Sequence, residues 1–348
     1  MLRTLSDIGK FILVGGTALA VLAPLDTARA SGFSVLYSFA GSDGDLPEAG
    51  LIMDTAGNLY GTTEYGGGGC YCGTVFKLAP DGTEMALHVF GGGSDGANPT
   101  ARLIKDTAGN LYGTTSAGGG NSCSGSGCGT VFKLAPDGSE TVFYAFTGGK
   151  NGSNPLAGLI MDSKGVLYGT TYAGGGRGCN GYGCGIVFKL APDGKETVLH
   201  FFTGGSDGYW PWASLIEDTG GNLYGTTGFG GNQDSGVVFK LAPDGTETVL
   251  YAFTGGSDGG EPIGGLIRDT AGNLYGTAKN GGTGCHRVGC GTVFRLAPDG
   301  TETVLHIFGG RGGRQPLAGL IKDSRGHLYS TTSGGGMYGY GTVFKLKE

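Results

Sequence analysis

The hydrophobic positions of this chain fall in short runs that are separated by glycine-rich turns, and the same set of runs recurs along the sequence. In the first copy the runs cover residues 49–54, 58–63, 74–78 and 84–90. Short β-rich runs at this spacing, with turn residues such as Pro80, Asp81 and Gly82 between them, predict antiparallel strands and leave no room for helices. Each copy is therefore predicted to form four strands, here named a to d.

Two markers fix the repeat. Leu-Tyr-Gly-Thr-Thr, or a close variant, begins at Leu59, Leu111, Leu167, Leu223, Leu274 and Leu328. Gly-Thr-Val-Phe-Lys-Leu, or a close variant, begins at Gly73, Gly129, Gly185, Gly236, Gly291 and Gly341. The period of about 54 residues is typical of a propeller blade, and six copies predict six blades.

The predicted strands are apolar on both faces. In strand d of the second copy, Val142 and Tyr144 lie on one side and Phe143 and Ala145 on the other. A sheet with one wet face would alternate with polar residues, whereas stacked blades bury both faces. A parallel β-helix has shorter coils and lacks the repeated hairpin turns. The sequence thus predicts an all-β fold, a six-bladed β-propeller with four antiparallel strands per blade.

The two ends of the chain predict how the ring closes. Residues 33–39 match the pattern of strand d, while the chain ends after strand c of the sixth copy. The N-terminal strand is therefore predicted to complete the last blade, which would remove both exposed edges.

The first thirty residues have the features of an export signal. Arg3 and Lys10 precede an apolar run at residues 11–25, and Ala28-Arg29-Ala30 forms a cleavage site. Since the run is shorter than the ~20 residues of a membrane span, we expect cleavage after Ala30, a mature propeller at residues 31–348, and a secreted or periplasmic bacterial protein without a membrane span. With 23 basic and 29 acidic residues and no basic run, a nucleic-acid partner is not expected.

The three motifs L-Y-G-T-T, G-T-V-F-K-L and A-P-D-G-x-E, all in register, resemble the choice-of-anchor GloVer tandem-repeat proteins of bacteria across essentially the whole mature chain. The resemblance implies an exported repeat protein without an established general activity. Such proteins often carry a C-terminal anchoring segment, and this sequence ends at Lys347-Glu348 without one.

All cysteines occur in the loops between strands b and c. They form four close pairs: Cys70/Cys72, Cys123/Cys128, Cys179/Cys184 and Cys285/Cys290. The fourth and sixth loops lack both members, which predicts a disulfide within each loop, in keeping with an oxidising compartment. Zinc is the alternative, but no companion histidines accompany the pairs, so no metal is expected there.

Antiparallel order places the b–c and d–a loops on one face, here called the loop face. These loops vary among copies, so a binding surface is expected there. The d–a loops repeat Gly-Ser-Asp-Gly, in which the Asp is expected to cap a turn. A calcium ion or a polar ligand held by these carboxylates is the alternative.

Departures from the repeat supply the candidate ligand-binding residues. Both tryptophans occur in Tyr209-Trp210-Pro211-Trp212, where aromatic faces suit a sugar or a peptide, and Arg102 replaces a small residue near the axis. If the ring closes, charged residues of the sixth and first d–a loops would meet. The remaining candidates, apart from those three aromatic residues and Arg102, are Asp43, Glu48, Asp258, Glu261, His286, Arg311 and Arg314.

No catalytic motif accompanies these residues. We find no HExxH motif and no Walker loop, and no nucleophile elbow or dinucleotide fingerprint that leads from a strand into a helix. We therefore expect a monomeric, non-enzymatic binding or scaffold propeller, without a cofactor, for an extracellular glycan, peptide or protein. The alternative is an exported enzyme (a lactonase, glycan lyase or hydrolase, or less readily a quinone-dependent dehydrogenase) that uses the channel mouth.

Overall fold

The computed structural model describes residues 35–283, 285 and 289–348. The predicted signal segment and His286 lie outside the described residues. Within this part, no helix is long and apolar enough to cross a membrane.

The described chain is a six-bladed β-propeller. Blade one contains β1 (Ile52–Met53), β2 (Leu59–Thr63), β3 (Thr74–Leu78) and β4 (Glu84–Val89); blade two contains β5 (Ile104–Lys105), β6 (Leu111–Thr115), β7 (Thr130–Leu134) and β8 (Glu140–Ala145). Blade three contains β9 (Ile160–Met161), β10 (Leu167–Thr171), β11 (Ile186–Leu190) and β12 (Glu196–Phe201); blade four contains β13 (Ile216–Glu217), β14 (Leu223–Thr227), β15 (Val237–Leu241) and β16 (Glu247–Ala252). Blade five contains β17 (Ile267–Arg268), β18 (Leu274–Ala278), β19 (Thr292–Leu296) and β20 (Glu302–Ile307); blade six contains β21 (Ile321–Lys322), β22 (His327–Thr332) and β23 (Thr342–Lys347).

Each sheet is an antiparallel meander in chain order. The predicted bounds of strand c agree with β3, whereas strand a, predicted at residues 49–54, pairs only over Ile52–Met53. The chain bends at Ala49 and turns again after Met53, which leaves two residues opposite the second strand. The four-stranded sheets also share a β-bulge between strands c and d, at Val75/Phe76 in blade one.

The core lies between blades. Each strand-d phenylalanine packs edge to face on the strand-c phenylalanine of the next blade, as Phe90 does on Phe132 with ring centroids 5.1 Å apart. In blades one to five the glycine of the Leu-Tyr-Gly marker lies against this phenylalanine, whereas blade six has Ser330 there and keeps the contact. A Cβ on Gly169 would stand 2.7 Å from Cζ of Phe188 and 2.9 Å from Cδ2 of Leu159.

The predicted closing strand is present in one respect only. Phe39 packs on Phe76 with centroids 5.0 Å apart at 69°, the same geometry as Phe90 on Phe132. However, residues 33 and 34 lie outside the described part, residues 35–39 form no ladder there, and the sheet of blade six has three described strands. Val343 of β23 is correspondingly 83% exposed. Hydrogen bonding between the N-terminal segment and β23 therefore stays a prediction.

The four disulfides are the predicted ones. Cys70–Cys72, Cys123–Cys128, Cys179–Cys184 and Cys285–Cys290 have Cα–Cα distances of 5.2, 5.3, 5.2 and 5.2 Å. Each closes a single b–c loop, as the paired losses in the fourth and sixth loops predict.

Candidate functional site

One residue in every d–a loop has a left-handed backbone. It immediately precedes the proline that leads into strand a, and its φ lies between 51° and 58°. The six residues are Leu46, Asn98, Asn154, Trp210, Glu261 and Gln315. From blade two onward, the N–H of this residue donates to the preceding blade: that of Trp210 to the carbonyl oxygen of Cys184, for example, at 2.8 Å. These residues therefore join neighbouring blades on the loop face.

Asparagine suits this position best. It tolerates the left-handed conformation, and its amide finds a backbone partner. Nδ2 of Asn98 donates to the carbonyl oxygen of Glu64 at 3.2 Å, and Nδ2 of Asn154 donates to that of Ser116 at 3.0 Å. Leu46, Trp210, Glu261 and Gln315 depart from asparagine. At Trp210 the left-handed conformation costs about 1–2 kcal/mol, and Nε1 donates a hydrogen bond to the carbonyl oxygen of Gly183 at 3.3 Å.

Trp210 is the centre of a cluster that we name the aromatic surface: Tyr172, Tyr209, Trp210, Trp212 and Phe229. Trp210 stacks on Tyr172 with centroids 5.0 Å apart at 28°, and meets Tyr209 edge to face at 5.0 Å. Trp212 tilts against Tyr172 at 5.2 Å, and Tyr209 stacks on Phe229 at 5.5 Å. Aromatic pairs at these separations stabilise one another beyond their buried area.

The two tryptophans have different environments. Trp210 is half-buried within the cluster, whereas Trp212 is 38% exposed. Beside Trp212, Gly228 carries no side chain, and a Cβ there would lie 3.9 Å from Cε3 of Trp212. Trp210 therefore supports the surface from below, and Trp212 presents its indole to solvent.

A polar groove borders the aromatic surface at Tyr209. It has a volume of about 610 Å³ and is lined by Tyr209 with Asn180, Thr203, Asn232, Gln233 and Asp234, among others. The hydroxyl of Tyr209 donates to Oδ2 of Asp234 at 3.3 Å, and burial together with this carboxylate raises the pKa of Tyr209 to about 12. Amide donors and acceptors thus lie next to the apolar faces.

A second cavity of about 620 Å³ follows the propeller axis between the strands a. Arg102 is exposed and lines this cavity. The equivalent positions in the other blades are Gly50, Gly158, Ser214, Gly265 and Gly319. This ring therefore offers one guanidinium and one hydroxyl, and it contains neither a carboxylate nor an imidazole.

The charged candidates do not come together. Asp43 accepts from the hydroxyl of Tyr37 and from the N–H of Ala40 at 2.8 Å, so it caps its own loop. No ion pair among the described residues joins Asp43, Asp45 or Glu48 to Arg311 or Arg314, which are exposed. The charge cluster between the sixth and first loops is not among the ion pairs of the described residues and stays a prediction.

Asp258 and Glu261 likewise bind donors close to their own loops. Asp258 accepts from the hydroxyl of Tyr251 at 3.1 Å and from the N–H of Thr254 at 2.8 Å. Glu261 pairs with Nζ of Lys279 at 2.6 Å and accepts from Nδ2 of Asn280 at 2.6 Å. Both carboxylates are already satisfied by these donors.

Sequence reasoning missed Tyr172 and Phe229. Tyr172 directly follows the Leu-Tyr-Gly-Thr-Thr marker, at a position that varies more than any within the marker: it reads Glu64, Ser116, Tyr172, Gly228, Lys279 and Ser333. That variation was the available signal, but it does not show that Tyr172 of blade three reaches Trp210 of blade four.

Solved structures share the architecture. A gluconolactonase from Xanthomonas campestris aligns with a TM-score of 0.51 at 15% identity, over 88% of this chain and 87% of that chain. A proposed 6-phosphogluconolactonase from Bacteroides uniformis aligns with a TM-score of 0.52 at 17% identity, over 82% and 77%. A luciferin-regenerating enzyme aligns with a TM-score of 0.51 at 16% identity, over 88% and 92%. At these identities the likeness extends to the fold alone.

The sequence itself shows a closer relationship. No curated protein matches it significantly. The family model described as the Gloeobacter/Verrucomicrobia repeat matches residues 21–182 and again 177–348. Since the two matches cover nearly the whole chain, the protein belongs to the Gloeobacter/Verrucomicrobia repeat family.

Proposed function

We propose that this protein is an exported, non-enzymatic propeller that binds a carbohydrate on the aromatic surface. The observation that carries the proposal is Trp212: its indole is 38% exposed beside Tyr172, on a cluster braced by Trp210 in an unfavourable backbone conformation. Stability alone gives little reason to have tryptophan at position 210 instead of the asparagine of blades two and three. The tryptophan is better explained by a surface that must be held in place.

A saccharide fits this chemistry in two ways. The apolar C–H face of a sugar ring stacks on an aromatic ring, and tryptophan and tyrosine dominate binding energy where one face is dry and the other wet. The adjoining groove supplies the amides of Asn180, Asn232 and Gln233 for sugar hydroxyls. A few convergent polar groups beside an apolar surface are what orient a small ligand.

Binding is favoured over catalysis because of the axial ring. Hydrolysis of a lactone or a glycosidic bond needs a positioned general base or a metal ion. The six axial positions offer only glycines, Ser214 and Arg102. The enzyme alternative is supported only by the shared fold of the structural neighbours, since the residues of this axial ring do not support it.

The experiment is a glycan array with the mature chain, followed by calorimetry on each hit. Trp212→Ala is expected to weaken binding at least tenfold, equivalent to about 1.4 kcal/mol. The control is Tyr338→Ala, which removes another exposed aromatic residue (82% exposed) from the loop region of blade six. The control should leave the affinity unchanged. Equal affinity for Trp212→Ala and the wild type, or no saccharide bound at all, would overturn the proposal.

A further inference from the structure

The interfaces between blades repeat a polar constellation of three side chains. The first is the strand-d residue at Tyr37, His88, Tyr144, His200, Tyr251 or His306. The second is the d–a loop residue at Asp43, Asp95, Asn151, Asp207, Asp258 or Gly312. The third is the glutamate that begins strand d of the next blade, at Glu84, Glu140, Glu196, Glu247 or Glu302. In all five glutamates Oε1 is inaccessible to solvent and has no hydrogen-bond partner among the described residues.

Where the first residue is tyrosine, its neutral hydroxyl forms a hydrogen bond with the loop residue. Tyr251 donates to Asp258 at 3.1 Å, and Nδ2 of Asn151 donates to the hydroxyl of Tyr144 at 3.3 Å. Neither set offers a nitrogen lone pair to a cation. In these interfaces the tyrosine hydroxyl pairs with the loop residue, and the imidazole that a transition metal prefers is missing.

His88 changes the chemistry at the interface of blades one and two. Its Nε2 lies 3.2 Å from Oδ1 and 3.3 Å from Oδ2 of Asp95, so it addresses both oxygens equally instead of donating to one. The three residues His88, Asp95 and Glu140 each offer one possible metal-ligand atom, and these three atoms lie within 4.8 Å of one another. The side chains of His88 and Asp95 are 18% and 28% exposed, so solvent reaches the cluster.

We propose that His88, Asp95 and Glu140 bind a divalent transition-metal ion of the zinc class. An imidazole nitrogen with two carboxylate oxygens is a ligand set that zinc accepts, with water in the fourth position. Calcium would prefer six to eight oxygen ligands, which this cluster does not supply. The unpartnered Oε1 of Glu140 gains a partner in this arrangement. Since the other four glutamates have the same unpartnered atom, the convergence with His88 and Asp95 is what distinguishes this interface.

The interface of blades three and four marks the limit of the proposal. His200, Asp207 and Glu247 have the same chemistry, but Nε2 of His200 lies 3.5 Å from Asp207 and the three do not converge within the same distance. The metal would link strand d of blade one, its loop, and strand d of blade two. It would therefore act as a staple between blades, remote from the aromatic surface in sequence and independent of the carbohydrate proposal.

The test uses the untagged mature chain, stripped with a chelator and titrated with zinc chloride by calorimetry and, separately, with calcium chloride. His88→Tyr is the main variant, because it installs the tyrosine that Tyr251 already provides at an equivalent position. Glu140→Gln is the second variant. The control is His306→Tyr, since the loop residue beside His306 is Gly312 and supplies no carboxylate.

The wild type and His306→Tyr are expected to bind one zinc ion with equal affinity and to gain melting temperature when it binds. His88→Tyr and Glu140→Gln are expected to lose at least tenfold in affinity while keeping the near-ultraviolet circular dichroism of the wild type. If zinc does not bind the wild type, if calcium binds more tightly, or if His88→Tyr binds zinc as well as the wild type does, the proposal is wrong. Saccharide binding is read out separately, so either proposal can fail alone.

Discussion

Replacing Trp210 by the asparagine that blades two and three use separates the two functions of this position. Trp210→Asn removes half-buried indole contacts with Tyr172, Tyr209 and Phe229. Full burial of a tryptophan is worth about 3–5 kcal/mol relative to alanine, so the half-buried ring contributes about 2 kcal/mol. Two gains offset this loss.

The first gain is the relief of the left-handed backbone, about 1 kcal/mol. The second is a side-chain hydrogen bond of about 1 kcal/mol. By analogy with Asn98 and Asn154, the new amide would donate to the carbonyl oxygen of the residue that follows strand b of the preceding blade, which is Tyr172. Trp210→Asn also loses the Nε1 hydrogen bond to Gly183, about 1 kcal/mol. It is therefore expected to unfold only slightly below the wild-type temperature.

Trp210→Ala is the matched comparison, because it loses the ring without either gain. It should be about 2 kcal/mol less stable than Trp210→Asn, a difference of roughly 4 °C in melting temperature. Differential scanning calorimetry of the three proteins measures this directly. If Trp210→Asn melts as low as Trp210→Ala, or lower, the assigned backbone strain and the asparagine hydrogen bond are not the forces acting at this position.

Three further predictions concern the propeller. Deleting residues 31–39 removes the contact of Phe39 on Phe76 and should lower the melting temperature by several degrees, which an unchanged temperature would contradict. Burial, and to a lesser extent the charge of Asp258, raise the pKa of Glu302 from 4.5 to about 7. The protonated carboxyl favours the folded state, so its contribution to stability is complete below pH 4.5 and is lost as the pH rises through 7. Glu302→Gln should therefore raise the melting temperature at pH 8 by about 2 °C, a small effect because solvent partly screens this half-buried group, and should leave it unchanged at pH 4.5. The control Glu48→Gln, at an exposed position, should not change the melting temperature at either pH. Gly169→Ala should cost about 1–3 kcal/mol by overpacking against Phe188, measured by urea unfolding, whereas Gly265→Ala, with nothing within 4 Å of the added Cβ, should be tolerated.

The fold was predictable because its determinants are local and repeated six times. The strand-c run at residues 74–78 and the Pro-Asp-Gly turn need only their own residues, and the structure forms both as predicted. The disulfides were predictable for the same reason, since each bridge joins cysteines at most five positions apart. The closing strand depends on pairing between distant chain ends, and of that prediction the structure shows the packing of Phe39 alone.

The candidate site was predictable only in part. Trp210 and Trp212 can be recognised in the sequence because they depart from the repeat. Their unequal exposure depends on the left-handed backbone at position 210, which the sequence pattern does not predict. Tyr172 and Glu140 were missed because each contacts residues of the neighbouring blade. The repeat length does not tell which residues of adjacent blades face one another. His88 packs edge to face on Phe90 at 4.7 Å, and its place beside Asp95 and Glu140 is visible only in the three-dimensional structure.

Intrinsic fluorescence gives the most direct measurement of the central claim. The chain contains two tryptophans, and both belong to the aromatic surface. Trp210→Phe retains an aromatic ring in the cluster and leaves Trp212 as the sole tryptophan, so its emission reports on the exposed indole. Titration with a saccharide identified on the array is expected to shift this emission to shorter wavelength, saturably and with the dissociation constant found by calorimetry. A saccharide that binds by calorimetry yet leaves the emission of Trp212 unchanged would contradict the account.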